Sequence, residues 1–285
     1  SCSARLPVYV LLISAIFPEN QGLVLFTIYF TGILLAITTA LVMKRVAFAK
    51  KEVPFVMELP PYRIPTLRNT SLHMWHKGQQ YLKKMGNVIL LASILIWALG
   101  YFPRDVQGGS KYDEQIAAVQ ANTQLTQETK DKQVNLLEID KESERQEKSY
   151  IGKLGHAIEP VIRPLGYDWQ IGVSIITGLA AKEIVVSSMG ILYQADKEAD
   201  ENSRTLKDEL VKQTHSSGVL QGQKVFTPLV SFGFMLFILI YFPCVAVIAA
   251  IRKESSWGWA VFTMVYTTVI AWVVAFAVYQ IGSLF

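Results

Sequence analysis

Apolar residues run from Gly22 to Met43 with only Thr, Tyr and Gly as relief, and the run closes on Lys44-Arg45. Its length is that of a full membrane span, and the basic pair places its end on the cytoplasmic side. Ahead of it, Val8 to Phe17 is apolar but only about half a span long, and Pro18-Glu19-Asn20 turns the chain. The segment FVMELPPYRIP, Phe55 to Pro65, cannot be helical throughout, because Pro60 and Pro61 remove amide donors and fix φ. It reads as an ordered cytoplasmic loop. Leu72 to Lys84 predicts an interfacial helix, with Leu72, Trp75, Gln79 and Leu82 on one side and Lys77, Lys83 and Lys84 in the headgroup region. Val88 to Phe102 continues into a span that leaves the membrane at Pro103.

The pattern then changes. Residues 104–149 alternate acidic and basic side chains around sparse apolar pairs, Ile116/Val119 and Val134/Leu137, which predicts a solvated helical hairpin on the outer face. Ile151 to Tyr167 carries Gly152, Gly155, Pro160, Pro164 and Gly166 and reads as a broken, interfacial stretch. Trp169 to Tyr193 is apolar around Lys182-Glu183, Gln194 to Lys224 is polar, and Val225–Ile251 and Trp257–Leu284 are two further spans. A single crossing by Trp169–Tyr193 would put Arg252-Lys253 outside, against the charge rule. A re-entrant Trp169–Tyr193, or a crossing completed by Ile151–Gly166, puts that pair inside, and is the preferred arrangement.

Composition agrees. Hydrophobic residues make up 51% of the 285 and charged residues only 18%, too few for a soluble domain of this length. The expected fold is all-α: a polytopic helical membrane protein with broken helices. The formal charge of +4 gives no reason to expect nucleic-acid binding. No phosphate loop, HExxH or Gly-x-Ser-x-Gly occurs, and no catalytic constellation is visible.

The chemistry gathers in a few places. The two cysteines, Cys2 and Cys244, each begin a Cys-x-Ala unit near a proline, Pro7 and Pro243. A proline frees a backbone carbonyl in the preceding turn, and such a group is tolerated at membrane depth only where it lines a cavity or finds a partner. A thiol with freed carbonyls makes a weak mixed site, suited to a soft or borderline ion such as Fe²⁺, Zn²⁺ or Cu(I) rather than Mg²⁺. The competing reading is a small hydrophobe in a buried helix. In Gly178-Leu-Ala-Ala-Lys182-Glu183, two adjacent charges each cost roughly 2.5–3.5 kcal/mol at membrane depth. Glu183, Ser187 and Gly190 share a helix face. That set either contacts an ion or pins helix packing through a Lys182–Glu183 pair. Arg5 either snorkels from a helix end or repels cations as a gate. Glu58 is either a structural loop carboxylate or an ion-delivery group. His73 and His76 have metal-ligand spacing and also suit an interface. Phe26-Thr27-Ile28-Tyr29 after the first cysteine unit matches Phe262-Thr263-Met264-Val265-Tyr266 after the second, an internal repeat whose spans would leave on opposite faces.

Taken in order, SCSARLPVY, MELPPYRIPT, LGHAIEPVIRPLGYDW, GLAAKEIVVSSMG and FPCVAVIAAIRKE resemble the C-terminal membrane portion of FeoB-type ferrous iron transporters over the whole chain, the charged insert excepted. The resemblance implies inverted gate-type repeats in the bacterial inner membrane that carry Fe²⁺ inward as a multi-pass fragment of a longer polypeptide. It divides the chain into the C-terminal part of a first gate repeat (1–54), a Pro-rich loop, interfacial helix and span (55–103), the insert (104–149), and a second gate repeat (150–285) with polar loop 194–224. Cys2 and Cys244 match the family's gate cysteines and Lys182-Glu183 the charged pair of its second gate; joined to the residue reading, this puts Cys2, Cys244, Glu183 and Ser187 on the ion path, with Arg5, Lys182, Pro7, Pro243 and Glu58 in gating or structural roles. The resemblance also implies a separate G domain holding GTP and Mg²⁺, an earlier gate segment of the same polypeptide, a small accessory protein and homo-oligomerisation. The rivals are a nucleoside or other organic-solute transporter and a non-transporting membrane scaffold.

Overall fold

The computed structural model describes residues 3–46, 66–103, 109–121, 127–179, 182, 184–193, 203–215, 222–242 and 244–284. Among these, every regular element is helical, apart from one isolated bridge between Thr214 and Lys224.

The core is built around helix α10 (Pro228–Ile240). Its residues Val230, Ser231 and Gly233 to Leu239 are all buried, so it is apolar on every side, as a helix surrounded by other helices must be. Thr227 starts it by accepting from the Val230 amide at 3.2 Å, with Pro228 in the first turn where its missing N–H costs nothing. The other early and late helices pack around it: α1 (Leu6–Ile16), α2 (Gln21–Val46) and α12 (Trp257–Gly282). Gly282 lies against Leu229, while Gly233 lies near Ala275 and Val278, so α12 runs antiparallel to α10. Arg5, just before α1, reaches the C-terminal end of α10, and α9 (Arg204–Lys212), which precedes the start of α10, packs on α1. Helix α1 is therefore also antiparallel to α10. The four-residue turn after it reverses the chain, so α2 and α12 run in opposite directions.

These two helices are long and apolar enough to cross a bilayer, and only 11% of the most apolar window of each is buried. Apolar surface of that extent is stable against lipid, not against water. Both have 26 residues, and the repeat seen in the sequence is in register in space. Phe26 stacks on Phe30 at 6.0 Å and Phe262 on Tyr266 at 5.6 Å. Thr27 and Thr31, like Thr263 and Thr267, each donate to the carbonyl four residues back at 2.8 Å.

Helix α3 (Leu67–Tyr101) is a single 35-residue rod, roughly 50 Å long at 1.5 Å per residue. The interfacial helix and the span expected separately are thus one element, with no break between Lys84 and Val88. The insert forms the expected hairpin, α4 (Gly109–Ala121) against α5 (Gln127–Lys148), joined by Lys141 to Asp113 at 2.5 Å and by Lys130 to the Gln120 carbonyl at 3.1 Å.

The stretch expected to be broken at 151–167 is helical up to Ile162 and breaks only after it, at Arg163 to Tyr167. Helix α6 (Tyr150–Ile162) passes through Gly152, Gly155 and Pro160 and ends in a 3-10 turn at Arg163–Leu165. Gly155 serves packing: a Cβ there would sit 2.5 Å from Val173 and 3.0 Å from the Trp169 carbonyl, so its absence lets α7 (Trp169–Thr177) approach. Helix α8 (Ile184–Leu192) folds back along α7. Gln170 at the start of α7 donates to the carbonyl of Leu192 at the end of α8 (2.8 Å), and near the tip Ser188 donates to Thr177 (3.0 Å). Helices α7 and α8 therefore form an antiparallel pair whose outer ends, at Gln170 and Leu192, lie together, as a re-entrant hairpin would require. The Val225–Ile251 span is also interrupted: α10 ends at Ile240, and α11 (Val245–Glu254) starts beyond Cys244.

Candidate functional site: the break between α10 and α11

The break follows from the covalent chemistry. A helical Leu239 carbonyl would accept from the amide of residue 243, and residue 243 is proline. The last turn is closed by the Tyr241 amide on the Phe237 carbonyl at 2.8 Å, after which the chain leaves the helix. The carbonyls of Ile238 and Leu239 then carry the negative end of the helix dipole with no continuing helix beyond them.

Two cations reach them. The Arg5 guanidinium donates through Nη1 to the Leu239 carbonyl. The Lys182 ammonium donates to the Ile238 carbonyl at 3.4 Å and lies 4.0 Å from the centre of the Tyr241 ring. Lys182 is only 3% exposed, a burial tolerable for an ammonium because carbonyl and ring face replace water. Arg5 therefore does not snorkel outward. Its Nε is buried and has no partner among the described residues.

The hairpin tip spans the break. On one side Lys182 bonds α10; on the other, the Leu179 carbonyl accepts from the Val245 amide at 3.3 Å. Gly178 makes this fit, since a Cβ there would lie 2.5 Å from Val185 and 2.8 Å from the Tyr241 hydroxyl. Between the two contacts sits Cys244, a half-buried free thiol whose carbonyl accepts from Val247 and Ile248 at 2.9 and 3.3 Å and so starts α11. One junction thus holds a helix C-terminus, a helix N-terminus, a thiol and two cations.

At the mouth of the hairpin, Asp168 caps α7 by accepting from the Ile171 amide at 2.8 Å, and Tyr193 donates to both its carboxylate oxygens at 3.0 and 3.1 Å. Just outside, His156 stacks on Trp169 at 4.7 Å and lies 3.4 Å from Glu159 and 3.6 Å from Glu147.

Of the residues singled out in the sequence, Arg5, Lys182 and Cys244 are brought to the junction, and Pro7 lies in the first turn of α1 beside Arg5. Ser187 is exposed on α8, whereas Gly190 on the same expected face is buried. His73 and His76 are exposed on α3, and no group of three or more potential metal-ligating side chains occurs among the described residues. Cys2, Glu58, Glu183 and Pro243 lie outside the described residues. Sequence reasoning missed Tyr241 as the ring under Lys182, and the Asp168–Tyr193 pair. Their signals were an aromatic two residues before Pro243 and an Asp before an apolar helical run, the usual N-cap position.

Beside the junction a cavity of about 410 Å³ opens between α2, α10 and α12. Arg5 is its charged wall, and Tyr29, Thr39, Tyr266 and Thr267 supply most of the remaining polar atoms.

Interrupted helices meeting a re-entrant hairpin between inverted repeats define a gate-type helical membrane domain. Comparison with known proteins agrees: the family model described as "Nucleoside recognition" (Gate) matches residues 82–257, and that described as "Ferrous iron transport protein B C terminus" matches residues 25–77. An Fe(2+) transport protein A/Fe(2+) transporter FeoB fusion protein of Porphyromonas gingivalis is 48% identical over 287 residues, covering 100% of this chain and 33% of that protein. Proteins named Fe(2+) transporter FeoB are 36% identical in Campylobacter jejuni (97% of this chain, 39% of that protein) and 33% identical in Staphylococcus aureus (100% and 35%). No solved structure matches the chain. The chain belongs to the gate family, and over its whole length it is similar to part of the proteins named Fe(2+) transporter FeoB. It spans about a third of the length of these relatives.

Proposed function

We propose that this chain forms part of the membrane path of a ferrous-iron importer of the bacterial inner membrane. The observation that carries the reading is the junction itself: helix-end carbonyls and the Cys244 thiol at an interruption inside a membrane helix, the arrangement by which transporters hold a cation weakly enough to release it. The names of the relatives give the cargo as Fe²⁺. Cys2 would add a second thiol to the path, and Glu183 and Ser187 a carboxylate and a hydroxyl on the hairpin. The chain itself performs no catalysis. GTP and Mg²⁺ would act at a G domain elsewhere in the complete polypeptide, with an earlier gate segment, an accessory protein and further copies as partners.

The sidedness follows from directions and charges. The basic end of α2, Lys44-Arg45, faces the cytoplasm. Helix α12 runs opposite to α2, so its start, preceded by Arg252-Lys253, lies on the same face. Helix α3 then crosses outward, the insert and both ends of the α7–α8 hairpin lie outside, and α10–α11 crosses back. Every basic cluster at a membrane end falls inside, with the hairpin counted as re-entrant.

The test is labelled Fe²⁺ uptake by iron-uptake-deficient cells expressing the complete protein, with membrane levels measured in parallel. Uptake by the wild type that collapses in Cys2→Ser plus Cys244→Ser supports the thiol-lined path. Unchanged uptake removes the thiols from the mechanism. A second reading, transport of a nucleoside-sized organic solute, is favoured by the family description and by the cavity beside Arg5. It predicts nucleoside uptake and no Fe²⁺ uptake from the same cells.

A further inference from the structure

We propose that Lys182, assisted by Arg5, is a tethered cation that occupies the α10 carbonyls in place of the cargo, so that an incoming ion must displace its ammonium to pass. The inference rests on the reading of this junction as a cation path.

The geometry is that of a substitute ligand. A cation arriving at the break would be drawn to the oxygens at the negative end of α10, Ile238 and Leu239. In the structure those two oxygens already hold an ammonium and a guanidinium. The Tyr241 ring, a third cation-attracting surface, lies under the same ammonium at 4.0 Å. The two cations differ in mobility. Arg5 is continuous with α1, whose Val8, Tyr9, Leu11 and Leu12 are fully buried, so its backbone is fixed. Lys182 stands at the tip of a hairpin between two nine-residue helices, on a flexible four-carbon stem. Rotation about that stem moves the ammonium without moving a helix. Arg5 is thus a positioning residue that narrows the choice of free oxygens, and Lys182 is the part that yields.

A removable competitor has a kinetic signature that a packing residue lacks. It raises the substrate concentration needed for half-maximal transport but is silent at saturation, where cargo has displaced it. In the complete transporter, Lys182→Met removes the competing charge at similar length. The KM for Fe²⁺ should fall about tenfold, the scale of losing one hydrogen bond to a charged group, with the saturating rate kept. Lys182→Arg puts a larger cation with more donors on the same oxygens, so KM should rise with the saturating rate again kept. A KM for the Met variant equal to or above that of the wild type overturns the proposal. If the Met variant fails to reach the membrane, the Arg variant decides: an unchanged KM, or a fall in the saturating rate alone, overturns it equally. Absence of Fe²⁺ uptake by the wild type would instead overturn the cation-path reading on which it rests.

Discussion

The two helix–turn–helix repeats share length, aromatic stacking and threonine bonding, yet their short helices sit in opposite surroundings. In the first repeat α1 is enclosed, with Val8, Tyr9, Leu11, Leu12 and Ile13 at 4% exposure or less. In the second, α11 keeps only Ile248 buried among its described side chains, and Val247 is 42% exposed. The same motif therefore does two jobs. The first repeat anchors Arg5 against the end of α10, and the second leaves the Cys244 end of α11 at a half-buried junction. The two pairs share one local geometry, and the enclosure of the first makes it a support for the other.

That contrast can be broken most strongly in the enclosed copy. Leu12→Ala should cost about 2–5 kcal/mol, the usual range for emptying a buried leucine site, whereas Val247→Ala in α11 should stay within about 0.5 kcal/mol. Thermal unfolding of the purified protein in detergent measures both, and equal losses would show that α11 is enclosed too. Next come the two arginines. Arg5→Met breaks a charge-assisted bond to the Leu239 carbonyl and should cost about 1.5–3 kcal/mol. Arg252→Met removes only a stacked contact, 4.3 Å from the Trp257 ring, worth about 0.5–1 kcal/mol. The threonines sharpen the likeness rather than the difference: Thr31→Val and Thr267→Val should each shift the midpoint by a similar small amount, since both bonds run within one helix.

The smallest effect lies outside both repeats. Glu144 in the insert is held below the usual carboxylate range, first by its bond from Lys148 and then by that from Tyr112. A carboxyl lowered on folding adds stability above its unfolded pKa, and this is lost as pH falls through the folded value. Glu144→Gln should thus loosen the insert slightly at neutral pH and make no difference in acid, a change that hydrogen exchange of α4 and α5 would report.

Much of this was legible beforehand, for identifiable reasons. Gly22–Met43 had to be a span because its apolar run has no relief, and Pro243 had to free the Leu239 carbonyl because proline has no amide hydrogen. What filled that carbonyl was not legible. Arg5 lies 234 residues away, and no local pattern specifies such a meeting. The first part of the 151–167 segment, up to Ile162, misled for a different reason. Gly152, Gly155 and Pro160 are helix breakers by intrinsic preference, but Gly155 is used for close approach to α7, and packing outweighs propensity. The Lys84–Val88 boundary misled because polarity changes along α3 while the backbone does not. At the candidate site, Lys182 stood out as a charge in an apolar run, but its partners, Ile238 and Tyr241, emerged only from the fold.

The shortness of α7 and α8 also governs how the protein is made. Nine residues reach about 13 Å, less than half the hydrocarbon thickness, so neither helix can cross a bilayer alone. Such a hairpin cannot insert by itself as it leaves the ribosome. The Ile238 carbonyl that receives Lys182 is synthesised 56 residues later. The contact between Lys182 and the end of α10 can therefore form only after α10 has been made, and the junction closes late in synthesis.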